Sequence, residues 1–362
     1  LWMAEGFLQP RFNEVLEDIG KEHFDILLQS SLFEEVAMFG PFYHIGDRNC
    51  TMHDFVHDLA QSVLRSDSIT DENCRYLLLP SFDGETQENL KSRSSSLRTL
   101  LGNGHIESGE VFLKLKYLRV LQLPLVTSQE LPTSISKLIH LRFLDLSHSR
   151  FKALPESICK LYNLQTLVLS NHFNPTILKE LPDGMRNLIN LRHLLFFTPD
   201  SKFRMPKGMG QLTCLKTLQF FNIGKEEGCK TEEVGCLKNL RGQILIRNLE
   251  FVNAKREAEQ ADLLSKSNLN DLVFEWGSGR EGEYNDEDVL EGLLPHPNLQ
   301  SLYVKNYMGR QFPRWLMNMS IAKYTMYGSL RSLVRLVKLV LLDCTMCEDA
   351  PALGRLPSLE FL

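Results

Sequence analysis

Hydrophobic residues recur along most of the chain in one six-residue pattern, with leucine or a similar side chain at positions 1, 4 and 6. Side chains two residues apart on an extended strand point to the same face, so positions 4 and 6 share one apolar face. The pattern therefore predicts a series of short strands, each apolar on one side. Clear copies begin at Leu118, Leu141, Leu164, Leu191, Leu215, Leu269, Leu299 and Leu336, and weaker copies begin at Leu97, Leu240 and Leu359.

The copies follow one another at a mean spacing of about 26 residues, within the range of leucine-rich repeats. One such strand cannot bury its apolar face alone, whereas stacked neighbours form a parallel sheet over a continuous core. We therefore predict an α/β fold over residues 97–362, a leucine-rich-repeat solenoid of about 11 irregular units. Its parallel β-sheet would line a horseshoe.

A second phrase recurs between several of the predicted strands. Because two phrases alternate along the chain, a chance abundance of leucine is a poor explanation of the pattern. The second phrase consists of an apolar residue, a proline, two variable residues and an apolar residue. Proline has no N–H group to donate to a sheet, so we expect these phrases to form irregular turns on the convex side. They begin at Leu131, Leu154, Leu181 and Met205.

The first 75 residues, which we call the head, lack the repeat. Their apolar spacing predicts a helix over 12–30, a hairpin of strands at 31–37 and 50–52, and a helix over 54–65. Helix, hairpin and helix in this order form a winged-helix arrangement, a small α+β segment over residues 1–75. Residues 76–96 are rich in serine and predict a polar linker before the repeats.

Composition and charge narrow the classes of function. Hydrophobic residues make up 43% and charged residues 23%, which excludes wholesale disorder, and no apolar run is long enough for a membrane span. The eight cysteines are scattered, as expected in a reducing compartment. The head has 5 basic and 14 acidic residues, and residues 97–250 have 21 basic and 13 acidic ones. A net charge of −9 on the head opposes nucleic-acid binding.

Basic side chains recur at one position of the repeat, directly after its first leucine. Stacking would align them into a column, which we call the basic stripe. It is predicted to face the acidic head within the same chain, although long basic side chains also serve solubility at a surface. Its members are Arg98, Arg119, Arg142, Arg192, Lys216 and Arg241.

Three phrases resemble the plant intracellular NLR immune receptors, disease resistance proteins with an NB-ARC domain and leucine-rich repeats. They are Leu1-Trp2-Met3-Ala4-Glu5-Gly6-Phe7-Leu8, Met52-His53-Asp54-Phe55-Val56-His57-Asp58-Leu59-Ala60 and Leu353-Gly354-Arg355-Leu356-Pro357-Ser358-Leu359. The second resembles the family's MHD motif. The resemblance covers nearly the whole chain and is nearest to the coiled-coil class. Because the chain begins with Leu1 inside a family phrase, we expect it to be a C-terminal fragment.

The resemblance implies roles for three residues of the head. His53 would contact the β-phosphate of ADP in the resting state, Asp54 would help to fix that histidine, and Met52 would support the motif. The sequence has no Gly-x-x-x-x-Gly-Lys-Ser/Thr phosphate loop, which supplies most of the grip on a nucleotide. We therefore expect no cofactor in this chain, and ADP or ATP only with an N-terminal nucleotide-binding part.

The resemblance also implies partners: a pathogen effector or a guarded host protein, and the chain's own NB-ARC domain in cis. The implied function is recognition and autoinhibition in plant defence, in the cytoplasm and without catalysis. The alternative is a stand-alone leucine-rich-repeat scaffold that binds another protein. We expect the partner-facing surface to be formed by strand residues Phe143, Asp145, His193, Gln219, Gln300 and Tyr303.

Two motifs raise the question of a metal. His53 and His57 have the i, i+4 spacing of zinc ligands in zincin proteases, but that motif needs glutamate where Asp54 stands. Cys344 and Cys347 form a lone Cys-x-x-Cys, whereas a zinc site needs further ligands. The sequence therefore predicts no metal site.

Overall fold

The computed structural model describes residues 1–9, 14–36, 49–54, 56, 58–59, 74–79, 87–88, 90, 96–102, 109–170, 178–281, 285–317, 333, 335–349 and 351. The helices are α1 (Trp2–Glu5), α2 (Leu16–Gln29), α3 (Glu110–Lys114), α4 (Thr231–Cys236), α5 (Lys255–Glu259), α6 (Asp286–Gly292) and α7 (Arg314–Met317). The strands of the head are β1 (Phe33–Val36) and β2 (Asn49–Met52). The remaining strands are β3 (Tyr76–Leu79), β4 (Thr99–Gly102), β5 (Val120–Gln122), β6 (Phe143–Asp145), β7 (Thr166–Val168), β8 (His193–Leu195), β9 (Thr217–Leu218), β10 (Phe220–Asn222), β11 (Gly242–Arg247), β12 (Leu269–Glu275), β13 (Ser301–Lys305) and β14 (Lys338–Leu342).

The head contains the predicted helix and hairpin. Helix α2 carries Glu17 and Asp18 in its first turn, where the unpaired backbone N–H groups of a helix favour negative charge. Strands β1 and β2 pair antiparallel, with Phe33 opposite Met52. The helix and the hairpin are therefore confirmed. Most of the predicted helix over 54–65 lies outside the described residues.

The leucines of the repeat face one core, as the alternation predicts. Strands β3 to β9 form a parallel sheet in chain order. Leu121, Leu144, Leu167 and Leu194 lie directly beside one another in it, each at most 1% exposed. Each strand thus covers the apolar face of its neighbour, and the predicted solenoid is confirmed.

The proline phrases form the opposite wall of the core. Pro132, Pro155 and Pro182 each precede a short 3-10 helix, over Thr133–Lys137, Glu156–Lys160 and Asp183–Asn187. The apolar residue that ends each phrase, such as Ile135 or Ile158, is fully buried. In the fourth phrase the helix begins only at Met209, after Gly208 at φ +75°, a conformation that glycine adopts most easily.

The ladder of the sheet is interrupted once and then resumes. Gln219 separates β9 from β10, and its carbonyl oxygen accepts a hydrogen bond of 3.1 Å from the N–H group of Leu245. Strands β10 to β14 then continue in parallel order, with Ile244, Leu272 and Leu302 in register. Strands β11 to β14 have five to seven residues each, whereas β5 to β9 have two or three.

The sheet starts earlier than the predicted boundary at residue 97. Tyr76–Leu79 forms β3 and pairs in parallel with Thr99–Gly102. Leu77 and Leu79 are buried with the leucines of the repeats. The described part of the predicted linker over 76–96 therefore includes the first strand of the sheet. The prediction failed because Cys74 stands where the repeat has its first leucine.

The acidic residues between β12 and β13 belong to helix α6, which hydrogen bonds anchor to the rest of the protein. Asp286 is fully buried at the start of α6 and accepts two hydrogen bonds from Arg280, of 2.9 and 2.6 Å. It also accepts one of 2.9 Å from the N–H group of Met308. A buried carboxylate needs such partners, so this helix fixes the loop before α7.

Shortening a core leucine should destabilise the solenoid. Leu144→Ala removes three carbon atoms from a fully buried side chain, and we expect a loss of about 2–5 kcal/mol in the free energy of unfolding. Urea-induced unfolding followed by circular dichroism measures the loss. Ile139→Ala, at a side chain 54% exposed, is the control and should change stability by less than about 0.5 kcal/mol. Equal losses in both variants would contradict the assigned register.

Candidate functional site: the basic stripe and the head

The residues of the basic stripe occupy one register position, directly before successive strands. The N–H group of Arg119 donates to the carbonyl oxygen of Arg98 at 2.7 Å, and that of Arg142 donates to Arg119 at 2.8 Å. The same ladder joins Arg192 to Gln165, the uncharged member of the series, at 2.8 Å. Because neighbouring strands lie about 4.8 Å apart, the side chains start from closely spaced points on a fixed backbone.

Glu17 of the head makes the densest set of contacts with the stripe. Arg192 donates to both carboxylate oxygens, from Nε and Nη2, at 2.6 Å each. The Nζ atom of Lys216 donates to Oε2 at 2.9 Å, and Nε2 of His193 lies 3.2 Å from Oε1. The Glu17 side chain is only 18% exposed. One carboxylate therefore joins three side chains from two adjacent strands.

Asp18 extends this contact by one more strand. Arg241 donates from Nη1 and Nη2 to the two carboxylate oxygens of Asp18, at 2.8 and 2.9 Å. This pair is more open to water, since the Asp18 side chain is 56% exposed. Exposed pairs contribute little, about 0.2–1 kcal/mol each. Asp18 therefore contributes more to the orientation of the head on the repeats than to the stability of the contact.

Helix α1 touches the stripe through its backbone. The last carbonyl groups of a helix have no partner within it, and Arg119 donates to the carbonyl oxygen of Glu5 at 3.1 Å. Arg142 donates to that of Ala4 at 3.4 Å. Gly6, at φ +85°, ends the helix in the left-handed region. The hydroxyl group of Thr99 on β4 donates to the buried Glu5 carboxylate.

The Glu17 contact sets the protonation of that residue. Burial disfavours its charged form, but hydrogen bonds from His193, Arg192 and Lys216 outweigh burial and hold the pKa of Glu17 well below its usual range. The hydrogen bond that Arg192 donates to Glu17 raises the pKa of Arg192 in turn. The pair therefore stays charged at neutral pH.

The arrangement can hold and release the head, rather than carry out chemistry. Several partly exposed pairs that act together amount to a few kcal/mol, the range in which a partner can shift an equilibrium between two states. Charge reversal on either side would convert the attraction into repulsion.

The three residues that resemble the MHD motif lie at the end of the hairpin, rather than on α1 or α2. Met52 ends β2, and the N–H group of His53 donates to the carbonyl oxygen of Leu32 at 3.1 Å. Met52, His53 and Asp54 are all exposed. Among the described hydrogen bonds and ion pairs between the head and the stripe, none comes from these three residues.

The predicted recognition surface is wrong in part. Asp145 is buried, and its carboxylate accepts a hydrogen bond of 2.8 Å from the N–H group of Ser147. His193 contacts Glu17 and is thus engaged by the head. Phe143 and Gln219 are half-buried, whereas Gln300 is exposed and half-buried Tyr303 has Lys338 Nζ 5.2 Å from its ring centroid. Of the six residues, Gln300 alone is exposed.

Sequence reasoning missed three residues of the site. Arg75 precedes β3 and extends the stripe by one strand, since the N–H group of Arg98 donates to its carbonyl oxygen at 2.9 Å. The sequence signal for Arg75 is a degenerate copy of the repeat, in which cysteine replaces the first leucine. Glu17 and Asp18 were counted only within the head's net charge, although their place in the first turn of a helix marks them as oriented carboxylates.

The two cysteines of the Cys-x-x-Cys motif serve structure. Cys347 donates to the carbonyl oxygen of Gly309 at 3.3 Å, and burial raises the pKa of its thiol to about 12. Cys344 lies beside the carbonyl oxygens of Val304 and Leu342. Within the described residues no group of His, Cys, Asp or Glu is placed to hold a metal ion. His57 lies outside them.

The described helices include none with the length and apolar character needed to cross a bilayer.

Known proteins match both parts of the chain. The family model described as the disease resistance protein winged helix domain matches residues 1–60, and that described as R13L1/DRL21 leucine-rich repeats matches residues 231–362. Disease resistance protein RGA2 of Solanum bulbocastanum is 36% identical over all of this chain, which covers 34% of RGA2. Disease resistance RPP13-like protein 4 of Arabidopsis thaliana is 29% identical over 87% of this chain and 37% of its own length.

Among solved structures, the functional domain of InlJ from Listeria monocytogenes superposes with a TM-score of 0.48 and 14% identity, over 79% of this chain and 62% of InlJ. The chain belongs to the plant disease resistance protein family and contains its winged-helix and leucine-rich-repeat segments. It spans about a third of the length of the curated relatives RGA4, RGA1 and RGA2.

Removing the Glu17 charge should lower the stability of the folded chain, by an amount that depends on pH. The folded-state pKa of Glu17 lies below the unfolded one, so its contribution is full above about pH 5 and is lost as the pH falls. Glu17→Gln should lower the free energy of unfolding by about 2 kcal/mol at pH 7, and the difference should shrink towards pH 3. Urea unfolding at both pH values measures it.

Glu34→Gln provides the matched control, because Glu34 is an exposed head carboxylate on β1. It should change stability by less than about 0.5 kcal/mol at either pH. If the loss in Glu17→Gln stays constant from pH 7 to pH 3, its carboxylate charge does not stabilise the contact.

Proposed function

We propose that this chain is the protein-recognition and autoinhibitory part of a plant disease resistance receptor that acts in the cytoplasm. The observation that carries the proposal is the engagement of Glu17 by Arg192, His193 and Lys216. This contact holds the winged-helix segment against the repeats. A receptor that must stay silent until it meets its partner needs such a reversible restraint.

The MHD motif would couple this restraint to a nucleotide. His53 would contact the β-phosphate of ADP, with Asp54 and Met52 in support, once a nucleotide-binding module is present. Their exposure on the head supports this role, because they are accessible to a further domain. That module is the chain's NB-ARC partner in cis, and the exchange of ADP for ATP would accompany release of the head.

Recognition would fall to the part of the sheet beyond the head. Gln300 directly precedes β13 and Tyr303 lies within it, two strands past Arg241 and its contact with Asp18. An aromatic ring beside a fixed cation, as in Tyr303 and Lys338, is a common anchor in protein interfaces. We infer that a pathogen effector or a guarded host protein binds here and disturbs the neighbouring strands.

Reversal of the stripe should activate the receptor without its elicitor. Arg192→Glu, Lys216→Glu and Arg241→Glu together place three acids against Glu17 and Asp18, so we expect the head to separate from the repeats. In a full-length receptor that carries this chain, leaf cell death should appear without an effector. Restoring complementary charge with Glu17→Arg and Asp18→Arg should suppress it.

The matched control reverses three exposed cations outside the stripe: Lys114, Lys160 and Arg186. It should leave the receptor silent at equal protein levels. A silent stripe variant, whose head also remains protected from limited proteolysis, would refute autoinhibition and favour the stand-alone scaffold. Cell death in the control would assign the effect to net charge rather than to the contact.

A further inference from the structure

The N-terminal part of the stripe opens onto a cleft, which we call the arginine cleft. Its volume is about 450 Å³, and its lining combines four guanidinium groups with neutral polar and aromatic side chains. The lining residues are Arg75, Ser96, Arg98, Tyr117, Arg119, His140, Arg142 and Asn163. The four arginines precede strands β3, β4, β5 and β6, so the parallel ladder places them in one row.

The two parts of the stripe differ in how their charge is balanced. Arg192, Lys216 and Arg241 pair with carboxylates of the head. In the cleft, Arg119 and Arg142 donate only to backbone carbonyl oxygens of α1. Among the described residues, no carboxylate lies within ion-pair distance of the four cleft arginines. This end of the row therefore has an excess of positive charge.

The cleft arginines also act on one another. Burial lowers the pKa of Arg142, and the charge of Arg119 lowers it further, whereas Glu5 partly offsets both. Glu5 is not among the residues that line the cleft, and its carboxylate accepts the hydrogen bond of the Thr99 hydroxyl. A negatively charged ligand in the cleft would relieve the repulsion between cations that the fold holds together.

We propose that the arginine cleft binds a small anion that carries several phosphate groups. Recognition of a protein partner does not require this row of cations. A phosphate ligand therefore goes beyond the proposed function. The guanidinium groups would hold phosphate oxygens in paired hydrogen bonds, which match the planar fork of arginine. The anion would bridge the arginines that precede strands β3 to β6.

Size and lining favour a compact phosphorylated molecule over an acidic peptide. The volume of the cleft falls in the range of small-molecule sites, about 300–1,000 Å³. The rings of Tyr117 and His140 stack, with centroids 6.1 Å apart and planes 8° apart, and form an aromatic wall on one side. Carboxylates of a peptide are spaced by its backbone, whereas clustered phosphates can meet several arginines of one row together.

Titration calorimetry of the 362-residue chain with inorganic tripolyphosphate, at constant ionic strength, tests the proposal. We expect saturable one-to-one binding. The variant Arg75→Gln/Arg98→Gln removes two cleft cations that make no side-chain contact with the described residues of the head, and it should raise Kd at least about tenfold. Lys114→Gln/Lys160→Gln removes the same charge outside the cleft and should change Kd less than about twofold.

Two further arms identify the source of the phosphate. Vesicles of phosphatidylcholine with 5% of a doubly phosphorylated phosphoinositide should capture the chain if the natural ligand is a lipid headgroup. In that case tripolyphosphate should displace the chain from the vesicles. Tripolyphosphate binding without vesicle capture assigns the cleft to a soluble metabolite. Either result supports a phosphate site.

Other results would overturn the proposal. No heat of binding at millimolar tripolyphosphate, or equal weakening in both double variants, would mean that the cleft has no specific affinity for phosphate. If an oligoglutamate peptide of the same charge binds as tightly and depends equally on Arg75 and Arg98, the cleft is an acidic-peptide site instead. Circular dichroism of each variant, compared with the unaltered chain, shows whether a lost signal comes from the cleft or from unfolding.

Discussion

Each strand of this protein can bury its leucines only when another strand lies beside it in the same register. That constraint fixes the spacing of everything else. Leu121, Leu144 and Leu167 align in the core, and the residues two positions before them align outside it. A periodic interior therefore produces a periodic exterior, and the charge at one position of the repeat becomes a row of charge on the molecule.

The head uses this row in two ways. Carboxylates of α2 meet Arg192, Lys216 and Arg241, whereas α1 meets Arg119 and Arg142 with backbone carbonyl groups. The first contact is sensitive to pH and salt because it joins full charges. The second contact does not neutralise the arginines, because backbone carbonyl groups carry no net charge. The same row thus serves a protein segment at one end and offers an anion site at the other.

Much of the fold could be predicted from sequence because its pattern is local. Alternation over six residues predicts a strand, and a proline three residues before an apolar position predicts the convex turn. The first strand was missed where Cys74 replaces leucine. The local pattern does not reveal that Asp286 of helix α6 is buried, because its burial depends on contacts with Arg280 and the N–H group of Met308.

The site was harder to predict, for a related reason. Net charges of −9 and +8 indicate that the head and the middle of the chain attract each other, but they do not select Glu17 out of 14 acids. That choice depends on residues 175 positions apart in the chain. Asp145 shows the opposite error, since an outward position on a strand can still be covered by a neighbouring turn.

In the units from Arg98 to Arg241, the residue before the strand uses its N–H group in the ladder, whatever side chain it carries. Arginine, lysine and glutamine all occupy this position with the same main-chain hydrogen bonds. Exchanges there alter the surface without altering the scaffold. Selection can therefore revise the charge pattern one repeat at a time, so that affinity for the head or for a ligand can drift while the architecture stays intact.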